Sequence, residues 1–160
     1  MGCVVSSSPI SQSKTIELSK LLQTLNSNIP RHEALLLSRD IFKETAKLTK
    51  EFELTSPPWF HNFLVNIGAR EKGLCYHWSD ALYIHFLEKS YPYFEFHLVG
   101  TSIGEYFFEH NALVVVAKNG NVLEGVLVDP WRDSGNLYFA NLKDDTKYKW
   151  KHRSSRGCLR

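Results

Sequence analysis

The sequence lacks the features that would place it in several specialised classes of protein. Its three cysteines, Cys3, Cys75 and Cys158, are too few and too widely spaced for a disulfide framework. No apolar run approaches the roughly 18 residues that a membrane-spanning helix requires. The Cys-x-x-Cys and His-x-x-x-His spacings of zinc sites are missing, so nothing supports a site built from Cys75, His77 and His110. We expect neither a metal nor a cofactor.

Acidic residues are missing from the C-terminal end of the chain. The last 14 residues hold six Lys or Arg and no Asp or Glu, although the whole chain has a net charge of only +2. The preceding body is therefore mildly acidic. Basic tails are usually solvated, and no nucleic-acid recognition motif accompanies this one. We expect no nucleic-acid partner.

The remaining composition is that of an ordinary globular chain, with 43% hydrophobic and 22% charged residues among 160. Apolar residues at three- and four-residue steps predict helices over 14–26, 31–52, 56–67 and 75–90, the third burying Phe63 and Ile67. Strand-like runs follow at 94–99, 112–117 and 122–128, with Asn119-Gly120 as the hairpin turn between the last two. Helices followed by an antiparallel sheet predict the α+β class.

The chain divides into three regions. Residues 1–13 carry five Ser and no apolar periodicity, which predicts a flexible leader or tether. Residues 14–150 are expected to form a single domain and residues 151–160 a basic C-terminal tail. We expect the protein to be a monomer.

The N-terminal residues fit two kinds of lipid attachment. Gly2-Cys3 and the small polar residues after them resemble the start of a mature bacterial lipoprotein, with Cys3 carrying the lipid. They also fit the Met-Gly-x-x-x-Ser pattern of myristoylation, with Cys3 as a palmitoylation candidate, and a third alternative is an unmodified leader. We prefer the lipoprotein interpretation, which predicts membrane anchoring at the cell envelope. A cytoplasmic location is the alternative.

Cys75, His110 and Asp129 occur in the order of a catalytic triad. Cys75 follows Gly73-Leu74 at a predicted helix N-terminus, where unpaired N–H groups and the helix dipole favour a thiolate. His110 opens one strand and Asp129 closes the next, and a hairpin centred on Asn119-Gly120 would place them opposite each other. A thiol attacks carbonyl groups as the thiolate, so it needs an imidazole to take its proton and a carboxylate to orient that imidazole.

These residues resemble the transglutaminase-like branch of the papain-like cysteine enzymes. The similarity covers roughly residues 56–150 and begins with Gly73-Leu74-Cys75 at a helix start. The segments His110-Asn111-Ala112 and Asp129-Pro130-Trp131-Arg132 look like those of small bacterial proteins with this core. It implies a nucleophilic Cys on a helix that packs against an antiparallel sheet carrying His and Asp. The chain departs from many members at Tyr76, where they have Trp, and at Asn111-Ala112, where they have Ala-Trp.

Several further residues are candidates for the same site. An oxyanion donor is expected from the helix before Cys75, with Asn66 preferred over Asn62 and Trp59. Trp78 and Trp131 are either core residues or walls of the substrate cleft. Arg132 either orients a substrate carboxylate or forms a structural salt bridge.

Two functions remain open on the sequence. The first is a cysteine enzyme that transfers an acyl group from a peptide or protein amide to water or to an amine, through a thioester on Cys75. Peptidase, amidase and transglutaminase activities share this machinery. The second is a catalytically idle domain that serves as a binding module at the cell envelope.

Overall fold

The computed structural model describes residues 3–4, 9–105, 108–154 and 156. In these ranges the chain has an α+β fold with four helices and a five-stranded antiparallel sheet. The helices are α1 (Gln12–Gln23), α2 (Arg31–Glu51), α3 (Pro58–Asn66) and α4 (Cys75–Lys89). The strands are β1 (Cys3–Val4), β2 (Thr55–Ser56), β3 (Phe94–Thr101), β4 (His110–Ala117), β5 (Val126–Asp129), β6 (Tyr138–Asn141) and β7 (Lys151–Arg153).

β4 occupies the centre of the main sheet, whose strand order is β6-β5-β4-β3-β7. All eight of its residues are buried. The run from Ala112 to Ala117 is apolar without alternation because both faces of this strand are covered. The site residues at the start of β4 are therefore held by the most protected strand of the fold.

α4 lies against one face of β3 and β4. Its buried side chains belong to the larger of two clusters of buried hydrophobic residues. Phe86 stacks on Phe96 of β3 with ring centroids 4.9 Å apart, and Trp78 meets Phe52 edge to face at 4.9 Å. Both α4 aromatics are almost fully buried. Packing along its length thus fixes the helix whose first residue is Cys75.

A polar cluster centred on Asp40 ties the C-terminal half of α4 to α2. The Asp40 carboxylate accepts hydrogen bonds from His85, from the Lys89 ammonium at 3.0 Å and from the Tyr91 hydroxyl at 2.5 Å. Burial raises the pKa of Asp40, but the three donors outweigh burial and hold it below its ordinary value. Asp40 is therefore ionised and fixes the end of α4 remote from Cys75.

The connection between β4 and β5 differs from the two-residue hairpin that the sequence predicts. The backbone turns at Asn119, whose φ is +62°, and then forms a 3₁₀ turn over Val122–Glu124 before β5 begins. Leu113 pairs with Val128, so the register is shifted by two residues from the prediction. A shift of two keeps each side chain on its predicted face, because side chains alternate with a period of two.

The buried face of α3 was predicted wrongly. Phe63 and Ile67 are 53% and 59% exposed, whereas His61 is fully buried. The helix turns His61 inward because both of its ring nitrogens make hydrogen bonds to the backbone.

Both ends of the chain contribute strands. Cys3–Val4, in the expected leader, pairs with Thr55–Ser56, and Lys151–Arg153, in the expected basic tail, pairs with β3. Across the described ranges, no helix combines the length and apolar character needed to span a bilayer.

Candidate active site

Cys75 is the first residue of α4, and the turn before it has a conformation that requires glycine. Gly73 has a φ of +123°, and a Cβ at this position would lie 2.0 Å from Nε2 of His61. Leu74 is extended and leads directly into the helix. The sequence Gly73-Leu74-Cys75 therefore produces the predicted meeting of a turn and a helix N-terminus.

His61 and His77 hold this turn from two sides. His61 accepts a hydrogen bond from the Thr55 N–H at Nδ1 (3.0 Å) and donates one from Nε2 to the Lys72 carbonyl (2.8 Å). Burial lowers the pKa of His61, which keeps the ring neutral as these two bonds require. Nδ1 of His77 accepts from the N–H groups of Gly73 (3.1 Å) and Leu74 (3.2 Å). The sequence analysis missed both roles. That of His61 depends on the packing of α3, whereas that of His77 is a local contact with residues three and four positions before it.

The Cys75 thiol lies against the start of β4. The side chain is buried, with the residue only 7% exposed. Its Sγ is 3.7 Å from the Glu109 carbonyl oxygen and 3.7 Å from Nδ2 of Asn111. Cys75 also interacts electrostatically with the imidazole of His110 and contributes to the rise in the pKa of that histidine.

His110 and Asp129 form a buried ion pair. Nε2 of His110 lies 2.7 Å from Oδ2 of Asp129, and the two residues are 3% and 0% exposed. The pair is diagonal across β4 and β5 because of the two-residue shift in register. Nε2 faces Asp129, and Nδ1 is buried without a hydrogen-bond partner among the described residues. The three predicted triad residues are thus brought together in the predicted order.

The electrostatics of the pair favour the protonated imidazole. Burial lowers the pKa of His110, but the Asp129 charge and hydrogen bond, together with Cys75, raise it to about 9. Three aromatic rings surround the imidazole, with centroids 4.6 Å (Trp131), 4.9 Å (Tyr148) and 5.4 Å (Trp150) from its own. These rings shield the pair from water, which strengthens the attraction between its charges.

Arg132 makes an ion pair within the protein. Its Nε lies 3.1 Å from Oδ2 of Asp129, and its Nη2 lies 2.7 Å from Oδ2 of Asp145. The guanidinium carbon lies 3.8 Å from the centre of the Tyr138 ring. Of the two roles considered for Arg132, these contacts correspond to the structural salt bridge, and they hold the Asp129 carboxylate in place.

The other predicted site residues lie in different environments. Trp131 belongs to the site, since it contacts His110 and donates from Nε1 to Oδ1 of Asn62 (3.1 Å). Trp78 is 1% exposed and belongs to the core. Asn66 is an exposed residue at the end of α3, and the side-chain amide that reaches Sγ is that of Asn111.

Glu109, Asn111 and Arg153 form a second polar network beside Cys75 that the sequence analysis missed. Arg153 pairs with Glu109 (Nη1 to Oε1, 2.7 Å) and donates to Oδ1 of Asn111. Two of these residues flank His110 in the sequence. The third lies in a segment whose basic composition resembles that of a solvated tail.

The two remaining expectations concern a metal site and a lipid attachment site. In the part of the chain that the structure covers, no three His, Cys, Asp or Glu side chains come together in a group that could hold a metal ion. The side chain of Cys3 lies outside the described residues, as does Cys158.

Comparisons of the chain with protein-family models, curated proteins and solved structures find no match. The chemistry of the site therefore rests on its own geometry.

Proposed function

We propose that the protein is a cysteine acyl-transfer enzyme with a transglutaminase-like, papain-like core, and that it acts on peptide or protein amides. The observation that carries the proposal is the 2.7 Å contact between His110 and Asp129, made where the imidazole also interacts with the Cys75 thiol. A buried imidazole held by a carboxylate on one side and a thiol on the other is the arrangement that converts the thiol into a nucleophile.

The first half of the reaction forms a thioester. The Cys75 thiolate attacks the amide carbonyl carbon, and the π electrons of the carbonyl move to oxygen. N–H groups at the N-terminus of α4 point out of the helix, and such groups can donate to an oxyanion that forms at Cys75. The intermediate then expels the amine, which takes the proton of the His110 imidazolium and leaves an acyl group on Sγ.

The second half releases the acyl group. Water or a second amine attacks the thioester carbonyl while His110 accepts its proton. The carbon–sulfur bond breaks, and its electron pair returns to sulfur as the thiolate. Asp129 stabilises the imidazolium in both halves and fixes the orientation of the ring through its contact with Nε2. Hydrolysis and transamidation differ only in the acceptor.

The test uses both acceptors and one active-site variant. Purified protein is incubated with casein alone, to detect new N-termini, and with casein plus a fluorescent primary amine, to detect amine incorporation. We expect one or both products from the wild-type chain and neither from Cys75→Ala. The control is His97→Ala, which removes an imidazole from β3 and is expected to keep activity. Equal product from the wild type and Cys75→Ala would contradict the proposal.

A further inference from the structure

Arg153 of β7 reaches into the site from the edge of the sheet. Its backbone pairs with Leu98 of β3, and only 6% of the residue is exposed. The guanidinium makes an ion pair with Glu109 and a hydrogen bond to Asn111. A basic residue of the expected tail is thus buried beside the nucleophile.

The contact with Arg153 decides which end of the Asn111 amide faces the thiol. A guanidinium has donors and no acceptor, so the Asn111 atom that it contacts must be the carbonyl oxygen, Oδ1. The NH₂ group then points the other way, with Nδ2 at 3.2 Å from Oε1 of Glu109 and 3.7 Å from Sγ of Cys75. Arg153 therefore fixes the amide with a donor aimed at sulfur.

Glu109 balances the charge of Arg153 at this point. Burial raises the pKa of Glu109, but the Gly104 N–H, Arg153 and Asn111 outweigh burial and hold it below its ordinary value. Glu109 is therefore ionised and neutralises the guanidinium that it contacts. The network thus presents to the sulfur an amide dipole with its positive end forward.

We propose that Asn111 is a catalytic residue that stabilises the Cys75 thiolate through its amide, and that Arg153 is the positioning residue that holds this amide. The inference rests on the proposed function, because it concerns the same nucleophile. A hydrogen bond to the charged form of a group stabilises that form. Asn111 and His110 thus favour the thiolate from two adjacent positions of β4.

The experiment measures the rate at which iodoacetamide alkylates Cys75 between pH 4 and pH 10, through the tryptic peptide of residues 73–89. Asn111→Leu keeps the size of the side chain and removes the donor. We expect its thiolate midpoint to rise by about one pH unit, which is roughly tenfold in rate at pH 6. Arg153→Gln should raise the midpoint in the same direction, and the exposed control Lys151→Gln should leave it unchanged.

A double variant separates positioning from general support of the fold. If Arg153 acts through Asn111, Arg153→Gln adds no further rise to Asn111→Leu, because the two changes remove the same contact. A wild-type midpoint in Asn111→Leu overturns the role of Asn111, and an additive rise in the double variant overturns that of Arg153. If Arg153→Gln fails to fold, Asn111→Leu carries the test with the Arg153–Glu109 pair intact. A wild-type protein that titrates as an ordinary thiol, near ~8.5, would instead defeat the proposed function.

Discussion

Replacing Asp129 by Asn tests the coupling between the carboxylate and the nucleophile. His110 has a pKa raised from 6.5 to about 9, and the Asp129 charge and hydrogen bond are the leading causes of the rise. The whole shift corresponds to about 3 kcal/mol in favour of the imidazolium, at about 1.4 kcal/mol per unit. The amide of the variant keeps the shape of the side chain and removes its charge. At least ~1 unit of the shift should be lost with it.

The change at His110 affects Cys75 because the thiol and the imidazole share one proton. Each unit lost from the pKa of His110 lowers the ratio of thiolate–imidazolium to thiol–imidazole roughly tenfold. We therefore expect Asp129→Asn to alkylate at Cys75 at least ~10-fold more slowly at pH 6 than the wild type. The pH profile of acyl transfer should change as well. In the wild type we expect activity to fall as the pH rises through about 9, where the imidazolium gives up its proton. In the variant this loss should occur at lower pH.

The control is Asp133→Asn, the same chemical change four residues away at an exposed side chain. It should alkylate as the wild type does. Because Asp129 also pairs with Arg132, near-ultraviolet circular dichroism at pH 6 should be recorded to show that the variant is folded. A folded Asp129→Asn protein with an alkylation rate at pH 6 within twofold of the wild type would refute the electrostatic reasoning.

Three further outcomes are expected. Gly73→Ala should lower the free energy of unfolding in urea by more than Gly68→Ala, because both residues have positive φ but only at Gly73 would a Cβ collide with His61; equal losses would contradict the steric argument. Trp78→Ala should lower the free energy of unfolding by about 3–5 kcal/mol, as for other large core residues. A loss below ~1 kcal/mol would indicate that Trp78 lines the cleft instead. In cells, Cys3→Ser should move the protein from the membrane to the soluble fraction if Cys3 carries the lipid; unchanged fractionation would contradict the prediction of a lipid tether at Cys3.

The parts of the site that depend on local patterns were predictable from the sequence. Gly73 and the apolar spacing after it were sufficient to place Cys75 at a helix start. The order of the strands was sufficient to bring His110 near Asp129, although the loop between them is longer than a two-residue hairpin. The error in register did no harm, because a two-residue shift leaves both side chains on the same face of the sheet.

The parts that depend on packing against distant elements were not predictable. Exposure of Phe63 and burial of His61 depend on backbone groups that α3 meets after folding, so apolar spacing selects the wrong face. Arg153 lies in a segment with the basic composition of a solvated tail, and its burial depends on the pairing of that segment with the edge of β3. Asn111 stands next to the predicted histidine, but nothing in its local sequence indicates that Arg153 will orient it.

The position of β7 at the edge of the sheet also affects how stable the site is. β7 is a three-residue strand at the edge of the sheet, and such edges open at a lower free energy than the central strands. Release of β7 would withdraw Arg153 while β3, β4 and α4 remain packed. The reactivity of Cys75 would then follow a local equilibrium rather than global unfolding. On heating, the nucleophile should lose its activation several degrees before the core melts, so the thermal limit of activity would lie below that of the fold.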